Sequence, residues 1–127
     1  MDTQQDTHLT VPIDDLSAIH IEIWRLEQLV AAASDSGQAG ALRRICRKLQ
    51  AAVSETGIET VDMVGRRYDP GMAPDVLDVE FDSGAVYDVV AATVEPTLLL
   101  NGRVVNRGQI ILRKPASLAP DAEEPAQ

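Results

Sequence analysis

The spacing of apolar residues changes near Gly57, and this change constrains the fold more than any other feature of the sequence. Before Gly57, apolar residues recur at steps of three and four, which is the period of an α-helix that covers a core. After Gly57 they tend to alternate with polar residues, as in a β-strand with one covered face. Both periods within 127 residues predict an α+β fold, an N-terminal helical hairpin followed by a small all-β domain of short strands.

The first helix is predicted to begin near Pro12, because proline can start a helix but cannot continue one. Asp14 or Asp15 is expected to cap its first turn. One side of this helix carries an apolar stripe over two heptads: Leu16, Ile19, Ile23, Leu26 and Val30. Ile21 and Trp24 lie on the opposite side, so the helix requires a neighbour on each of two sides.

A second helix is predicted from about Gln38 to Glu55, after a polar turn at residues 34–37 and before a C-capping Gly57. Its inner face consists of Leu42, Ile45, Leu49, Ala52 and Val53. This hairpin, residues 13–57, covers only one side of the first helix, and a second copy of the chain is expected to cover the other. The predicted dimerisation residues are Leu16, Ile19, Ile23, Trp24, Leu26 and Val30.

Residues 58–114 are predicted to form the β domain. Strands are expected near Ile58–Met63, Val76–Phe81, Tyr87–Val94, Leu98–Leu100, Arg103–Val105 and Gly108–Leu112. The dipeptide Asn101-Gly102 is a strong signal for a two-residue hairpin turn. Short strands at this spacing favour a small, partly closed barrel or a sandwich. The polar residues 1–12 and the acidic, proline-rich residues 115–127 are predicted to be a disordered lead and tail.

The formal net charge of −9 argues against nucleic acid as a partner and against a polybasic mode of membrane binding. No run approaches the 18 or so apolar residues of a membrane span, and the polar N-terminal residues do not resemble a signal peptide. A single cysteine, Cys46, fits a reducing compartment. We therefore expect a cytoplasmic protein.

Residue types that carry chemistry are present, but their spacing does not indicate an active site. His8 and His20 lack cysteine or carboxylate neighbours at ligand spacing, and Cys46 is expected to be a buried small hydrophobic residue. Four carboxylates alternate along one predicted strand as a solvated face: Asp75, Asp78, Glu80 and Asp82. Residues 102–108 lack the Lys-Ser/Thr ending of a phosphate loop. No enzymatic activity, metal or cofactor is predicted.

One local cluster is positively charged, although the net charge of the chain is negative. Four cations lie within two turns of the second helix: Arg43, Arg44, Arg47 and Lys48. They are either a solvated face with ion pairs across the hairpin to Glu22 and Glu27, or a docking patch for an acidic partner surface.

Three short motifs, in order, carry a resemblance to a known family. They are Gly57-Ile58-Glu59 after the second helix, Tyr68-Asp69-Pro70 at the entry to the β domain, and Leu100-Asn101-Gly102-Arg103 at the hairpin. With the order of helices and strands, they make residues 13–114 resemble GrpE, the nucleotide exchange factor of DnaK-type chaperones. The family's long paired helix has no counterpart here, so the resemblance is to a short, divergent member.

The resemblance implies a homodimeric co-chaperone in protein folding and the stress response, which promotes ADP release by binding the nucleotide-binding domain of a DnaK-type chaperone. It also implies a chaperone contact at the family's second arginine after the hairpin, whose position is Asn106 here, with Arg107 one place later. Arg103, Asn106 and Arg107 are therefore the predicted contact residues at the hairpin. We add Arg43 and Arg47 as candidate partner-binding residues. The alternative is an adaptor or assembly subunit that keeps the GrpE-like fold without exchange activity.

Overall fold

The computed structural model describes residues 9–33 and 37–118, so residues 1–8 of the expected lead, residues 34–36 of the turn and residues 119–127 of the expected tail lie outside the described residues. Residues 115–118 were expected to belong to a disordered tail, but the last strand extends to Pro115 and a 3₁₀ helix follows at Ala116–Leu118. The chain divides between Val53 and Ser54 into two compact units, which we call the helical unit and the β unit. Two helices precede small sheets of short strands, which confirms the α+β class. None of the described helices combines the length and apolarity that a membrane span requires.

The helical unit contains α1 (Ile13–Ala32) and α2 (Ala39–Ser54). Pro12 occupies the N-cap position of α1, as its fixed φ permits. The expectation that Asp14 or Asp15 caps the first turn is wrong, because no side chain donates or accepts a capping hydrogen bond there. Both carboxylates lie inside the first turn instead, where the positive end of the helix dipole still favours them.

The end of α2 follows from a glycine conformation. Gly57 has φ of 88°, a left-handed value that costs little for glycine, and its N–H donates to the Ser54 carbonyl oxygen at 3.2 Å. The helix ends there, and the first strand begins at Ile58. The predicted terminating role of Gly57 is confirmed.

Residues 54–118 of the β unit form six strands and a short 3₁₀ helix, Ala116–Leu118. The strands are β1 (Ile58–Val61), β2 (Asp75–Asp82), β3 (Val89–Glu95), β4 (Thr97–Leu100), β5 (Arg103–Asn106) and β6 (Gln109–Pro115). They form two three-stranded sheets, an antiparallel β1-β4-β5 and a mixed β2-β6-β3 in which β2 is parallel to β6.

The hairpin between β4 and β5 is confirmed at the predicted dipeptide. Asn101 and Gly102 both have positive φ, 54° and 80°, as a tight two-residue turn between twisted strands requires. Leu100 pairs with Arg103 and Leu99 with Val104 across this turn. The turn therefore sets the register that places Arg103 directly after the tip.

An aliphatic cluster holds the mixed sheet together. Val90, Ile110 and Leu112 are almost completely buried, and Met63, Tyr68, Met72 and Val79 pack around them. In the other sheet Leu98 has no exposed surface. Burial of each such aliphatic side chain contributes roughly 1.5 to 3 kcal/mol. A core of this kind agrees with a chain in which only 3% of residues are aromatic.

Two of the three connections between the sheets are short and meet at one corner. The chain passes from β3 to β4 through Pro96 alone, and from β5 to β6 through Arg107 and Gly108. Thr97 Oγ1 donates to the Arg107 carbonyl oxygen at 2.8 Å and ties the two connections together. Gly108 has φ of 88°, and a Cβ atom on it would lie only 2.8 Å from the Glu95 carbonyl oxygen. The corner is thus packed backbone against backbone.

We expect Gly108→Ala to lower the free energy of unfolding by about 2 to 4 kcal/mol, because it adds overlap with fixed backbone atoms to the strain of a positive φ. Urea denaturation followed by circular dichroism measures the loss. Gly65→Ala is the matched control: Gly65 has φ of 86° but no atom within 4 Å of the added Cβ. That variant should lose only about 1 kcal/mol. Equal losses would contradict the packed corner.

Candidate partner-binding surfaces

The tip of the β4–β5 hairpin is the most open part of the β unit that carries a predicted site residue. Asn101, Gly102, Arg103 and Val104 are all exposed. The Arg103 guanidinium is not paired with any carboxylate among the described residues. A guanidinium that is held on a rigid hairpin and has no internal partner can bind a carboxylate or a carbonyl group of another protein.

Asn106, the second predicted contact residue, is directed into the corner between the sheets. Its Nδ2 donates to the Pro96 carbonyl oxygen at 3.1 Å and lies 3.5 Å from Glu95 Oε1. The side chain is only half-exposed. Asn106 therefore donates its hydrogen bond to a main-chain carbonyl at the corner between the sheets. A partner protein would have to break this bond in order to bind the Asn106 amide.

Arg107 forms an ion pair on the surface of the β unit. Its Nη2 lies 2.7 Å from Asp75 Oδ1, and Nε donates to the same oxygen at 3.1 Å. The two side chains are 64% and 59% exposed, respectively. An ion pair this open contributes only about 0 to 1 kcal/mol. It fixes the direction of Arg107 at low cost and can be exchanged for a carboxylate of a partner.

The predicted dimerisation stripe on α1 is partly buried within one copy of the chain. Ile23, Trp24 and Val30 are buried, and Leu16 and Leu26 are half-buried. Trp24 is only 9% exposed, so it has little surface to offer a second copy; its part in dimerisation stays a prediction. Ile19, by contrast, is 46% exposed.

An open apolar groove runs between α1 and α2. Its volume is about 400 Å³, and its lining residues are Ala18, Ile19, Glu22, Ile23, Leu26 and Leu49. On α2, Leu49 is 38% exposed and Ile45 is 52% exposed. The groove thus contains three of the five stripe residues (Ile19, Ile23 and Leu26) together with an inner-face residue of α2. Apolar surface of this kind on a small unit marks an interaction surface.

The four cations of α2 all lie at the surface: Arg43, Arg44, Arg47 and Lys48. The predicted ion pairs across the hairpin to Glu22 and Glu27 are not formed among the described residues. Glu22 instead pairs with Arg25 on its own helix, where a spacing of three residues brings the side chains together. The first interpretation, a solvated face with ion pairs across the hairpin, is therefore wrong about the ion pairs.

Two ionisable groups on α1 have pKa values that are shifted by burial. Burial raises the pKa of the Glu27 carboxyl above its ordinary 4.5, and it lowers the pKa of the His20 imidazole below 6.5. His20 is therefore neutral at pH 7. Because the unfolded chain takes up this proton more readily than the folded chain, the His20 contribution to stability is complete above pH 6.5 and is lost as the pH falls through the lowered pKa.

Sequence reasoning missed an arginine–aromatic contact on the β unit. The Arg67 guanidinium carbon lies 4.2 Å from the centre of the Tyr87 ring, and Val90 N–H donates to the Arg66 carbonyl oxygen at 2.9 Å. The segment around Arg67 thereby forms an extra edge beside β3. The consecutive arginines were visible in the sequence, but their aromatic partner lies 20 residues further along the chain.

Cys46 is buried, as predicted, and borders a hollow between the helices that is described below. Within residues 9–33 and 37–118, no group of three or more histidine, cysteine or carboxylate side chains is arranged to hold a metal ion. The features that the described surface does offer are an arginine-tipped hairpin, an apolar groove and a basic helix face. Surfaces of these kinds occur at protein–protein interfaces.

No protein-family model matches the chain, and no curated protein matches it significantly. The resemblance to GrpE therefore depends on the three motifs and on the order of helices and strands.

We expect Glu27→Gln to raise the free energy of unfolding at pH 7, because partial burial disfavours the charged form of the carboxyl and the amide carries no charge. The folded chain binds the Glu27 proton more tightly than the unfolded chain, so the gain should shrink as the pH falls through the raised pKa and vanish below 4.5. Urea denaturation at a series of pH values measures it.

Glu22→Gln provides the control for this measurement. Glu22 lies on the same helix but is exposed and paired with Arg25, so its substitution should leave stability unchanged or lower it by less than about 1 kcal/mol. A gain of the same size in both variants would show that general charge repulsion, rather than burial of Glu27, is responsible.

Proposed function

We propose that this chain is a GrpE-like nucleotide exchange factor, a cytoplasmic co-chaperone that acts as a homodimer and promotes ADP release from a DnaK-type chaperone. The observation that carries the proposal is the β4–β5 hairpin. It presents Arg103 beside a tight Asn101-Gly102 turn, within the motif Leu100-Asn101-Gly102-Arg103 that carries part of the resemblance.

The mechanism requires no bond to be made or broken in the exchange factor. The β unit would bind the open, nucleotide-free form of the chaperone's nucleotide-binding domain more tightly than the ADP-bound form. By linkage, such preferential binding must weaken the binding of ADP by the same factor. Accelerating ADP release about a thousandfold requires roughly 4 kcal/mol of preferential stabilisation of the transition state for release, which an interface of ordinary size can supply.

The rigidity of the hairpin supports this mechanism. The exchange factor can shift the conformation of its partner only if its own binding surface does not change conformation more easily. The corner between the sheets lies at the base of the hairpin. It is fixed by the hydrogen bond from Thr97 to the Arg107 carbonyl, by the bond from Asn106 to the Pro96 carbonyl and by the close packing of Gly108. Arg103 is thus separated from a fixed corner by only one short strand.

The proposed dimer would form at the apolar groove of the helical unit. Ile19 and Leu49 border the groove, and Ile45 lies on the same inner face of α2. Each of them is still 38% or more exposed in one copy. Full burial of such a side chain is worth roughly 1.5 to 3 kcal/mol, and these residues retain a large share of that for association. A second copy of the same hairpin presents the same apolar surface.

A specific observation favours the second candidate, an adaptor that lacks exchange activity. Two of the three predicted contact residues at the hairpin are engaged within the chain, Asn106 with the Pro96 carbonyl and Arg107 with Asp75. A chaperone surface that requires both side chains would have to compete with these bonds. Binding to the chaperone without any acceleration of ADP release would identify the adaptor.

We expect the wild-type protein to accelerate the release of a fluorescent ADP analogue from a DnaK-type chaperone of the same cell, measured by stopped flow. Arg103→Ala should reduce the acceleration about tenfold, because a charge-assisted hydrogen bond contributes roughly 1.5 to 3 kcal/mol. Arg66→Ala is the matched control, since Arg66 is exposed on a segment beside the other sheet; it should change the rate less than about twofold.

Each result of this experiment separates the candidates. No acceleration by wild-type protein at micromolar concentration defeats the exchange hypothesis. Acceleration that is equally sensitive to Arg66 and Arg103 would show that overall charge, rather than the hairpin, determines the interaction.

We expect Leu49→Asp to shift the protein from dimer to monomer in sedimentation velocity at micromolar concentration, because a carboxylate would enter the apolar groove. Val86→Asp introduces the same charge at an exposed apolar residue of the β unit and should leave the dimer intact. Far-ultraviolet circular dichroism checks that both variants fold. A wild-type monomer at the same concentration would contradict the dimer.

A further inference from the structure

The helix α2 has an unusual balance of charge for this protein. Residues Ala39–Ser54 contain four cations and no carboxylate, in a chain whose net charge is −9. None of the four side chains is paired with a carboxylate of the described residues. A concentration of positive charge that no described carboxylate neutralises is available to a partner of opposite charge.

Two of the four cations, Arg43 and Arg47, border a hollow between α1 and α2. The hollow has a volume of about 240 Å³. Its other lining residues are Glu27, Val30, Ala31 and Cys46. It shares no lining residue with the apolar groove described above, so a second copy in that groove and a ligand in the hollow would contact different residues. Arg44 and Lys48, one residue further along from each arginine, do not border it.

The chemistry of the hollow restricts what it can accept. Val30, Ala31 and Cys46 provide an apolar floor large enough for a small aliphatic side chain, while the two guanidinium groups offer planar pairs of N–H donors that match carboxylates. Glu27 neutralises at most one of the two arginines and makes no ion pair with either, so an excess of positive charge remains. Phosphate chains and lipid headgroups fit poorly, since they have no small apolar side chain to fill the apolar part of the hollow.

We propose that the hollow bordered by Arg43 and Arg47 is a docking site for an acidic segment of a partner protein, which places one small apolar side chain on Val30, Ala31 and Cys46 and its flanking carboxylates on the two arginines. The site is separate from the β4–β5 hairpin and does not depend on nucleotide exchange. It gives the helical unit a binding role of its own.

The test uses the full-length protein and a fluorescein-labelled peptide of repeating Asp-Glu-Val units, with binding followed by fluorescence anisotropy. Arg43→Gln/Arg47→Gln should weaken binding about tenfold, since two exposed charge pairs are lost. Arg44→Gln/Lys48→Gln removes the same charge from the same helix outside the hollow, and should weaken binding less than about threefold. All four side chains are exposed, so both variants are expected to fold.

Cys46 supplies an independent readout, because it is the one cysteine of the chain and lines the hollow. The bound peptide should slow the reaction of Cys46 with a thiol reagent, and a peptide with serine in place of valine should bind more weakly and protect less. Equal weakening by both double variants, no protection of Cys46, or tighter binding of duplex DNA or phosphatidylserine vesicles than of the peptide would each overturn the proposal.

Discussion

The close approach of Gly108 to the backbone of Glu95 and Pro96 is the constraint on which the β unit depends. Because the two backbones lie so close together, the chain passes from one sheet to the other within a few residues. No side chain fits at the position of Gly108. The hydrogen bonds from Thr97 and Asn106 close the same corner. The strands β4 and β5 are held at their base by this corner and at their tip by the Asn101-Gly102 turn, which fixes the position of Arg103.

The helical unit leaves part of its apolar surface exposed. Two helices of 20 and 16 residues are too few to bury their own apolar surface, and the groove at Ile19 and Leu49 remains open. The proposed dimer covers that groove, while the hollow at Arg43 and Arg47 stays available to an acidic segment. In this account both units act by binding complementary surfaces. The β unit binds a chaperone, and the helical unit binds a second copy of the chain and a further partner.

Local features of the structure could be predicted from the sequence, because they depend on neighbouring residues. The two helices, the Gly57 terminator and the Asn101-Gly102 hairpin follow from period and turn chemistry. The parallel pairing of β2 with β6 did not, since its partners are more than 30 residues apart and no local signal selects them. For the same reason the directions of Asn106 and Arg107 were not predictable: each depends on Pro96 or Asp75, which the fold brings together from a distance.

The central claim is that the chain binds one state of its partner more tightly than another, and calorimetry tests it most directly. The affinity for the nucleotide-binding domain of a DnaK-type chaperone should be measured without nucleotide and again at saturating ADP. The account predicts that ADP weakens binding by about a hundredfold or more, corresponding to a coupling free energy near 3 kcal/mol. Equal affinity in the two conditions would contradict it, because a protein that does not distinguish the states cannot promote the release of ADP.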